Sequence, residues 1–360
     1  MHDKTSIIIL SYNTLELMQL CIQSIHAHTE AGTYEIIVVE NASTDGSAEW
    51  LKAQKNLVCI YNDENRGFPG GCNQGLTAAT GRDLLLLNSD TVVTKDWLKN
   101  LRLALYSSAK VGAVSCVTNY CSNNQQIKAP YDGIEEMLDF AAQYNKSNPA
   151  LWEKRTKLVG FCYLFKREVL EKIGFLDERF SPGNYEDDDY SLRILQAGYD
   201  LLFCRDTFIH HFGGAAFKKK LKVQTEAQMI ERYNAVLLRN HDIFFTKWHV
   251  PENYWEMPPE EILPYLRQTL AEEAADAAMK PSVQKIAVLV RRTQEARYKL
   301  CLESLHAASL PAGYALEIFP LAADKPYAAQ VKEALARTEA KVKIYINDEV
   351  CLTEPAAIEQ

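Results

Sequence analysis

Short β-rich runs alternate with helical stretches through the first ninety or so residues, and nothing else in the chain constrains its fold as strongly. Residues 7–10, 35–39, 58–61 and 84–87 read as strands, with helices expected over 15–28, 47–53 and 71–80. Crossovers between parallel strands are right-handed, so the pattern implies a largely parallel, doubly wound α/β sheet. In such sheets ligands bind at the carboxyl ends of the strands. Polar residues collect at those ends: Ser11, Tyr12 and Asn13 after the first, Glu40 to Ser47 after the second, Asn65 and Arg66 after the third. Each cluster alone serves as a turn or a helix cap; together they outline a cleft. No glycine stands directly after the first strand, which argues against a dinucleotide site of the GxGxxG type.

Two acidic sites and a histidine pair give the cleft its chemistry. The run Leu84-Leu85-Leu86-Leu87-Asn88-Ser89-Asp90 reads as a buried strand that delivers Asp90 at its end. Farther on, Asn184-Tyr185-Glu186-Asp187-Asp188-Asp189-Tyr190 opens a helix, and His210 and His211 follow about two dozen residues later. Acids in a first helical turn are often there only to complement the helix dipole. With Asp90 and a histidine they suggest instead a base and a divalent metal in one site.

Composition excludes several classes. With 360 residues the chain is long enough for about two domains. A formal net charge of -8 argues against nucleic acid polymers but not against a nucleotide. The nine cysteines are scattered without a CxxC pair and read as buried thiols of a reducing cytosol. The N-terminus leads straight into a strand, and no apolar run approaches the roughly 18 residues of a membrane span, so a cytoplasmic protein is expected.

The ordered segments SYN (11–13), ENASTDGS (40–47), NRGFPGGCNQG (65–75), LLLLNSDT (84–91), FKREVLEKIGFLDERF (165–180), NYEDDDYSLR (184–193) and HHFGG (210–214) span about residues 6–248. In this order they resemble the inverting GT-A glycosyltransferases of family 2, and within them the rhamnosyltransferase-like branch. The resemblance implies a GT-A fold, a Rossmann-like mixed and mostly parallel sheet flanked by helices. It implies metal-dependent, inverting transfer of a sugar from a nucleotide-sugar donor to a hydroxyl of a saccharide or lipid-linked saccharide acceptor, in bacterial-type surface polysaccharide synthesis. The family's Asp-x-Asp motif corresponds to Asn88-Ser89-Asp90, leaving Asp90 as the acidic metal ligand, and the histidine preceding x-Gly-Gly is His211. Such a donor set suits Mn²⁺ or Mg²⁺. The family's catalytic base maps onto Asp187, with Glu186 and Asp188 as alternatives and Arg193 placed to orient one of them. Glu40 would accept the imino N–H of a nucleobase, which favours UDP or dTDP over GDP. Ser11, Asn13, Asn41, Asp45, Arg66 and Asn88 would complete the donor pocket. Peripheral attachment to the inner face of a membrane and oligomerisation are both compatible with the sequence.

Beyond the first domain, 1–250, prolines 251, 258, 259 and 264 suggest a linker followed by a helix over 260–279, together filling 251–281. Residues 282–360 read as a truncated GT-A-like repeat. Residues 300–307 (LCLESLHA) copy 20–27 (LCIQSIHA) at five of eight positions, and 343–350 (KIYINDEV) align with 84–91. The two offsets, 301 against 21 and 347 against 88, differ by 21 positions. That loss is placed around the second strand-helix unit, removing any counterpart of ENASTDGS and NRGF, and a copy without donor-pocket residues or a base is expected to be catalytically silent. The basic run Lys218, Lys219, Lys220 and Lys222 reads as a solvated loop or as a lid over a phosphate. Two other classes remain: a non-catalytic carbohydrate- or nucleotide-binding scaffold, and a sugar-nucleotide nucleotidyltransferase, whose glycine- and arginine-rich loop after the first strand is missing.

Overall fold

The computed structural model describes residues 2–121, 124–213, 226–279, 284–291, 314–322, 330 and 342–347. The basic run at 218–222 and the copy at 300–307 lie outside them. The chain forms two compact units, Met1–Thr269 and Leu270–Gln360.

The alternation in the sequence is realised as β1 (His2–Ser11), α1 (Leu15–His28), β2 (Tyr34–Glu40), α2 (Ser47–Lys52), β3 (Val58–Tyr61), α3 (Gly67–Ala78) and β4 (Gly81–Asn88). There follow β5 (Thr91–Val92), α4 (Trp97–Leu105), β6 (Val111–Val117), α5 (Ile134–Tyr144), β7 (Trp152–Arg155), β8 (Cys162–Lys166), α6 (Arg167–Ile173) and α7 (Glu186–Gln196). Next come β9 (Asp200–Phe208), β10 (His210–His211), α8 (Glu226–Trp248) and α9 (Pro259–Met279), whose residues up to Thr269 belong to the first unit. Helix α3 starts four residues before its expected position, because Asn65 Oδ1 accepts the Gly67 amide at 2.8 Å and so supplies a turn at its entry.

Eight strands form one sheet in the order β3-β2-β1-β4-β8-β6-β9-β7. The pairs from β3 to β4 and the pair β6/β9 are parallel; β8 and β7 run antiparallel to their neighbours. This is the mixed, mostly parallel, helix-flanked sheet expected of a GT-A chain. Strand side chains alternate between faces. Leu84 and Leu86 therefore enter one buried layer with Ile8 and Ile37, and Leu85 and Leu87 enter the other with Ile7, Ile9 and Val38. Helices cover both faces, which is why β4 is a continuous apolar run.

Helix α3 lies directly on β1. A Cβ on Gly71 would stand 2.2 Å from Leu10 Cδ1, and one on Gly75 would stand 2.3 Å from Ile8 Cγ2. These two glycines thus serve the approach of helix to sheet. The proline-rich stretch read as a linker is part of the first unit's core. Val250, Tyr254, Ile262 and Leu266 are buried there with Phe244 and Trp248.

In the second unit, β11 (Gln284–Arg291), β12 (Tyr314–Leu321) and β13 (Val342–Asn347) form a parallel sheet in the order β12-β11-β13. This repeats the arrangement β2-β1-β4, so the second strand has a counterpart, and the loss expected around the second strand-helix unit falls after that strand. The shortfall lies later. Strands β2 and β4 begin 47 positions apart (34 to 81), whereas β12 and β13 begin 28 apart (314 to 342).

Among the described residues seven cysteines are free thiols, five of them buried. No described helix is long and apolar enough to cross a membrane.

Candidate active site

Strand β4 ends at Asn88, and the following turn buries Ser89 and Asp90. Strand β5, next in the chain, pairs antiparallel with β10, setting His211 opposite Thr91, and the Phe212 amide donates to Asp90 O at 2.9 Å. Two histidines in a two-residue strand face opposite ways. His211 turns to Asp90, with Nε2 3.1 Å from Oδ1, while His210 Nδ1 meets Tyr131 OH at 2.7 Å.

His211 is fixed from every side. Its backbone amide donates to Asn119 Oδ1 at 2.9 Å, its carbonyl accepts from Asn119 Nδ2, and Phe161 stacks on its ring at 5.3 Å. Its Nδ1 lies 2.8 Å from Tyr120 O, a carbonyl that can only accept. Nδ1 therefore carries a proton, and Nε2 is turned to the Asp90 carboxylate and to Asn88, 3.4 Å away. Two acceptors 3.1 Å apart repel unless a proton or a cation lies between them. This arrangement fits a divalent ion held by Asp90, His211 and the amide oxygen of a rotated Asn88. Among the described residues no three His, Cys, Asp or Glu side chains converge on one point, so further ligands would come from substrate and water.

The four acids that open α7 have separate surroundings. Asp189 is fully buried against Lys247 Nζ (2.7 Å), Trp248 Nε1 (2.9 Å) and Arg193 (3.6 Å). Asp188 is buried against Lys157 Nζ at 2.6 Å and accepts from Tyr254 OH. Burial lifts the Asp188 carboxyl to about 7 against the opposing pull of Lys157. Burial also works against the Lys157 charge, but Asp188 and Asp187 together hold that ammonium above the ordinary lysine value. Glu186 is buried with no partner for Oε2, and burial, reinforced by the Asp187 charge, pushes its carboxyl well above the usual range.

Asp187 alone of the four is part-exposed. Its Oδ2 accepts from Gly160 N at 2.8 Å and its Oδ1 from Asp188 N at 3.0 Å. Gly160 is followed by Phe161, whose ring stacks on His211 and whose carbonyl accepts from Asn88 N at 2.9 Å. Two adjacent residues thus join the candidate base to the candidate metal corner. Arg193, expected to orient one of the candidate bases, turns to Asp189 and to the carbonyls of Phe175 and Ile173.

The expected donor pocket is built from the loops after β1, β2 and β3. Glu40, buried at the end of β2, accepts from Ala42 N (3.2 Å) and Ser43 N (2.7 Å), which leaves capacity for another donor. Asn13 accepts from Thr44 N at 2.8 Å, and Asp45 accepts from Leu15 N at 2.9 Å and Ser47 Oγ at 2.6 Å. Asn41 donates to Asn65 Oδ1 at 2.8 Å and accepts from Arg66 N and Asn62 Nδ2 at 3.0 Å. Asn13, Asn41 and Asp45 therefore hold the walls of the cleft. Ser11 Oγ is buried without a hydrogen-bond partner, and Arg66 is exposed at the entry to α3. Sequence reading missed Lys157, Gly160, Phe161, Tyr120, Tyr254 and Lys247, which reach the site by long-range packing.

The family model described as Glycosyl transferase family 2 matches residues 6–174, and one described as Glycosyltransferase like family matches residues 287–360. Glycosyltransferase GlyG of Streptococcus pneumoniae is 30% identical over 215 residues, covering 57% of this chain and 69% of GlyG. Glycosyltransferase AglE of Haloferax volcanii is 26% identical over 276 residues, covering 73% of this chain and 85% of AglE. The solved mannosyltransferase PcManGT of Pyrobaculum calidifontis, in complex with GDP-Man and Mn²⁺, aligns over 76% of each chain at 21% identity with a TM-score of 0.46.

Proposed function

The chain belongs to glycosyl transferase family 2 and is a glycosyltransferase, and from that premise we propose that it is a metal-dependent, inverting enzyme with Asp187 as base. Its donor is a nucleoside diphosphate sugar and its acceptor a hydroxyl of a saccharide, free or lipid-linked, in surface polysaccharide synthesis on the cytoplasmic side of the membrane. The observation that carries this reading is the division among the acids of α7. Asp188 and Asp189 are neutralised by lysines, Glu186 is buried, and Asp187 is part-exposed and held by two backbone amides.

Inversion needs one carboxylate that takes the acceptor proton as the hydroxyl attacks the anomeric carbon. Amide donors at both oxygens of Asp187 fix the plane of its carboxylate, and each oxygen keeps a lone pair for the acceptor hydroxyl. A divalent ion held by Asp90, His211 and Asn88 would offset the charge that develops on the departing diphosphate. Glu40 has room to accept a nucleobase N–H, which uracil, thymine and guanine present; UDP and dTDP are favoured. The second unit is proposed as a degenerate GT-A-like repeat that contributes architecture or acceptor placement.

The stereochemical outcome tests the reading. With a donor of defined anomeric configuration, proton NMR of the new linkage should show the opposite configuration, and retention would rule out a single displacement assisted by Asp187.

A further inference from the structure

One face of α8 holds the loop and first turn that present Asp187. Tyr233, Asn240, Phe244, Lys247 and Trp248 recur at helical spacing along that face. Tyr233 OH donates to Asn184 Oδ1 at 3.4 Å, and Lys247 and Trp248 close on Asp189. At the centre Asn240 is fully buried, and the two hydrogens of its Nδ2 are shared among three carbonyls, Phe180 O (2.7 Å), Gly183 O (2.9 Å) and Asn184 O (2.9 Å). Its Oδ1 accepts from the Arg239 guanidinium, with Nε at 3.0 Å.

The backbone gripped in this way is in a costly conformation. Asn184 and Tyr185 are consecutive non-glycine residues with φ of 77° and 73°. Such left-handed pairs persist only where surrounding contacts over-determine them. Two devices do so here: the Asn240 amide on the carbonyls, and Phe244, whose ring lies 5.3 Å from that of Tyr185. Tyr185 is the N-cap of α7, and its carbonyl accepts from Asp189 N at 2.9 Å, so the turn sets where the helix starts and how it is rotated. Asp187 stands two residues farther on.

We infer that Asn240 is a positioning residue for the reaction, aiming the Asp187 carboxylate through the turn at 183–185 without touching it or the substrate. The inference rests on Asp187 being the base. A base displaced by about 1 Å can lose on the order of 10²-fold in rate while ligand binding elsewhere is untouched.

The test is a double-mutant cycle on the full chain. Turnover of a UDP-sugar and the Kd for UDP, both with Mn²⁺, are measured for the wild type, Asn240→Leu, Asp187→Asn and the double variant. Leucine keeps the volume and removes the donors. Asn240→Leu should lower kcat about 10- to 100-fold with Kd within about twofold, and should cost nothing further in the Asp187→Asn background. An unchanged kcat, a parallel rise in Kd, or losses that multiply in the double variant would overturn the role of Asn240. Full turnover in Asp187→Asn would instead overturn the base assignment beneath it. Should Asn240→Leu not melt cooperatively, Asn240→Ser, which keeps one short donor, carries the same cycle with a smaller loss expected.

Discussion

Asp187 and Asp188 are adjacent in one helical turn, yet their surroundings differ, and the proposed function gives them opposite duties. Asp187→Asn should lower kcat by about 10²–10⁴ while nucleotide affinity stays nearly unchanged, which steady-state kinetics and a binding titration would show together. Asp188→Asn takes from the buried Lys157 ammonium the one carboxylate that the ion pair at 2.6 Å supplies. It should cost on the order of 3–5 kcal/mol of stability in urea denaturation. A large kcat loss in Asp188→Asn with unaltered stability would move the base by one position. That the acids open a helix and that Asp90 meets His211 followed from residues legible in the sequence. The different surroundings of the acids did not, because the partners that separate them, Lys157 and Tyr254 for Asp188, arrive from 31 and 66 positions away (188 against 157 and 254).

The first strands and helices were readable because local pattern and packing agree. Helix α1 runs over the expected residues 15–28, and β3 over 58–61. Antiparallel β8, inserted between β4 and β6, was invisible, since strand order is a long-range property that no local pattern encodes. The glycines of α3 were ambiguous in sequence between ligand approach and packing, and the distances to Leu10 and Ile8 assign Gly71 and Gly75 to packing. Gly75→Ala should therefore destabilise by about 1–3 kcal/mol through overpacking, read as a lower urea midpoint with an unchanged slope; an unaltered midpoint would show that Ile8 can yield.

Glu35 ties β1 and β2 to the start of β4, accepting from Lys4 Nζ (2.7 Å), Ser6 Oγ (2.6 Å) and Thr80 N (2.8 Å). Burial raises its carboxyl, but these donors together outweigh that and lower it to about 2 from an ordinary value of 4.5. A depressed carboxylate contributes stability above its unfolded pKa and loses it as pH falls through the folded one. The contribution should therefore be complete above about pH 5 and fade toward pH 2. Glu35→Gln should flatten that acid limb in denaturation curves taken at pH 3 and pH 7, and an unchanged limb would remove Glu35 from the acid response.

The molecule carries one sheet with the candidate site and a second that repeats three of its strands. The repeat was legible from two short sequence copies. Its gap could be placed only roughly, around the second strand-helix unit, because a 21-residue difference in offset does not say which residues of that stretch were lost. Strand β2 ends on the buried Glu40, whereas β12 ends on Leu321, a side chain with nothing to offer a nucleobase N–H. Removing residues 282–360 should leave hydrolysis of the sugar nucleotide within a few-fold of the full chain, provided the product melts cooperatively; loss of hydrolysis in such a product would give the second unit a share of the donor site. The reading as a whole assigns donor binding to the metal corner at Asp90 and His211 and proton removal to Asp187. Calorimetric titration of the wild type, Asp90→Asn and Asp187→Asn with UDP, dTDP and GDP, in Mn²⁺ and again in EDTA, separates the two. Tight binding of at least one nucleotide should be lost in EDTA and in Asp90→Asn and kept in Asp187→Asn, whereas affinity indifferent to both the chelator and Asp90→Asn would contradict it.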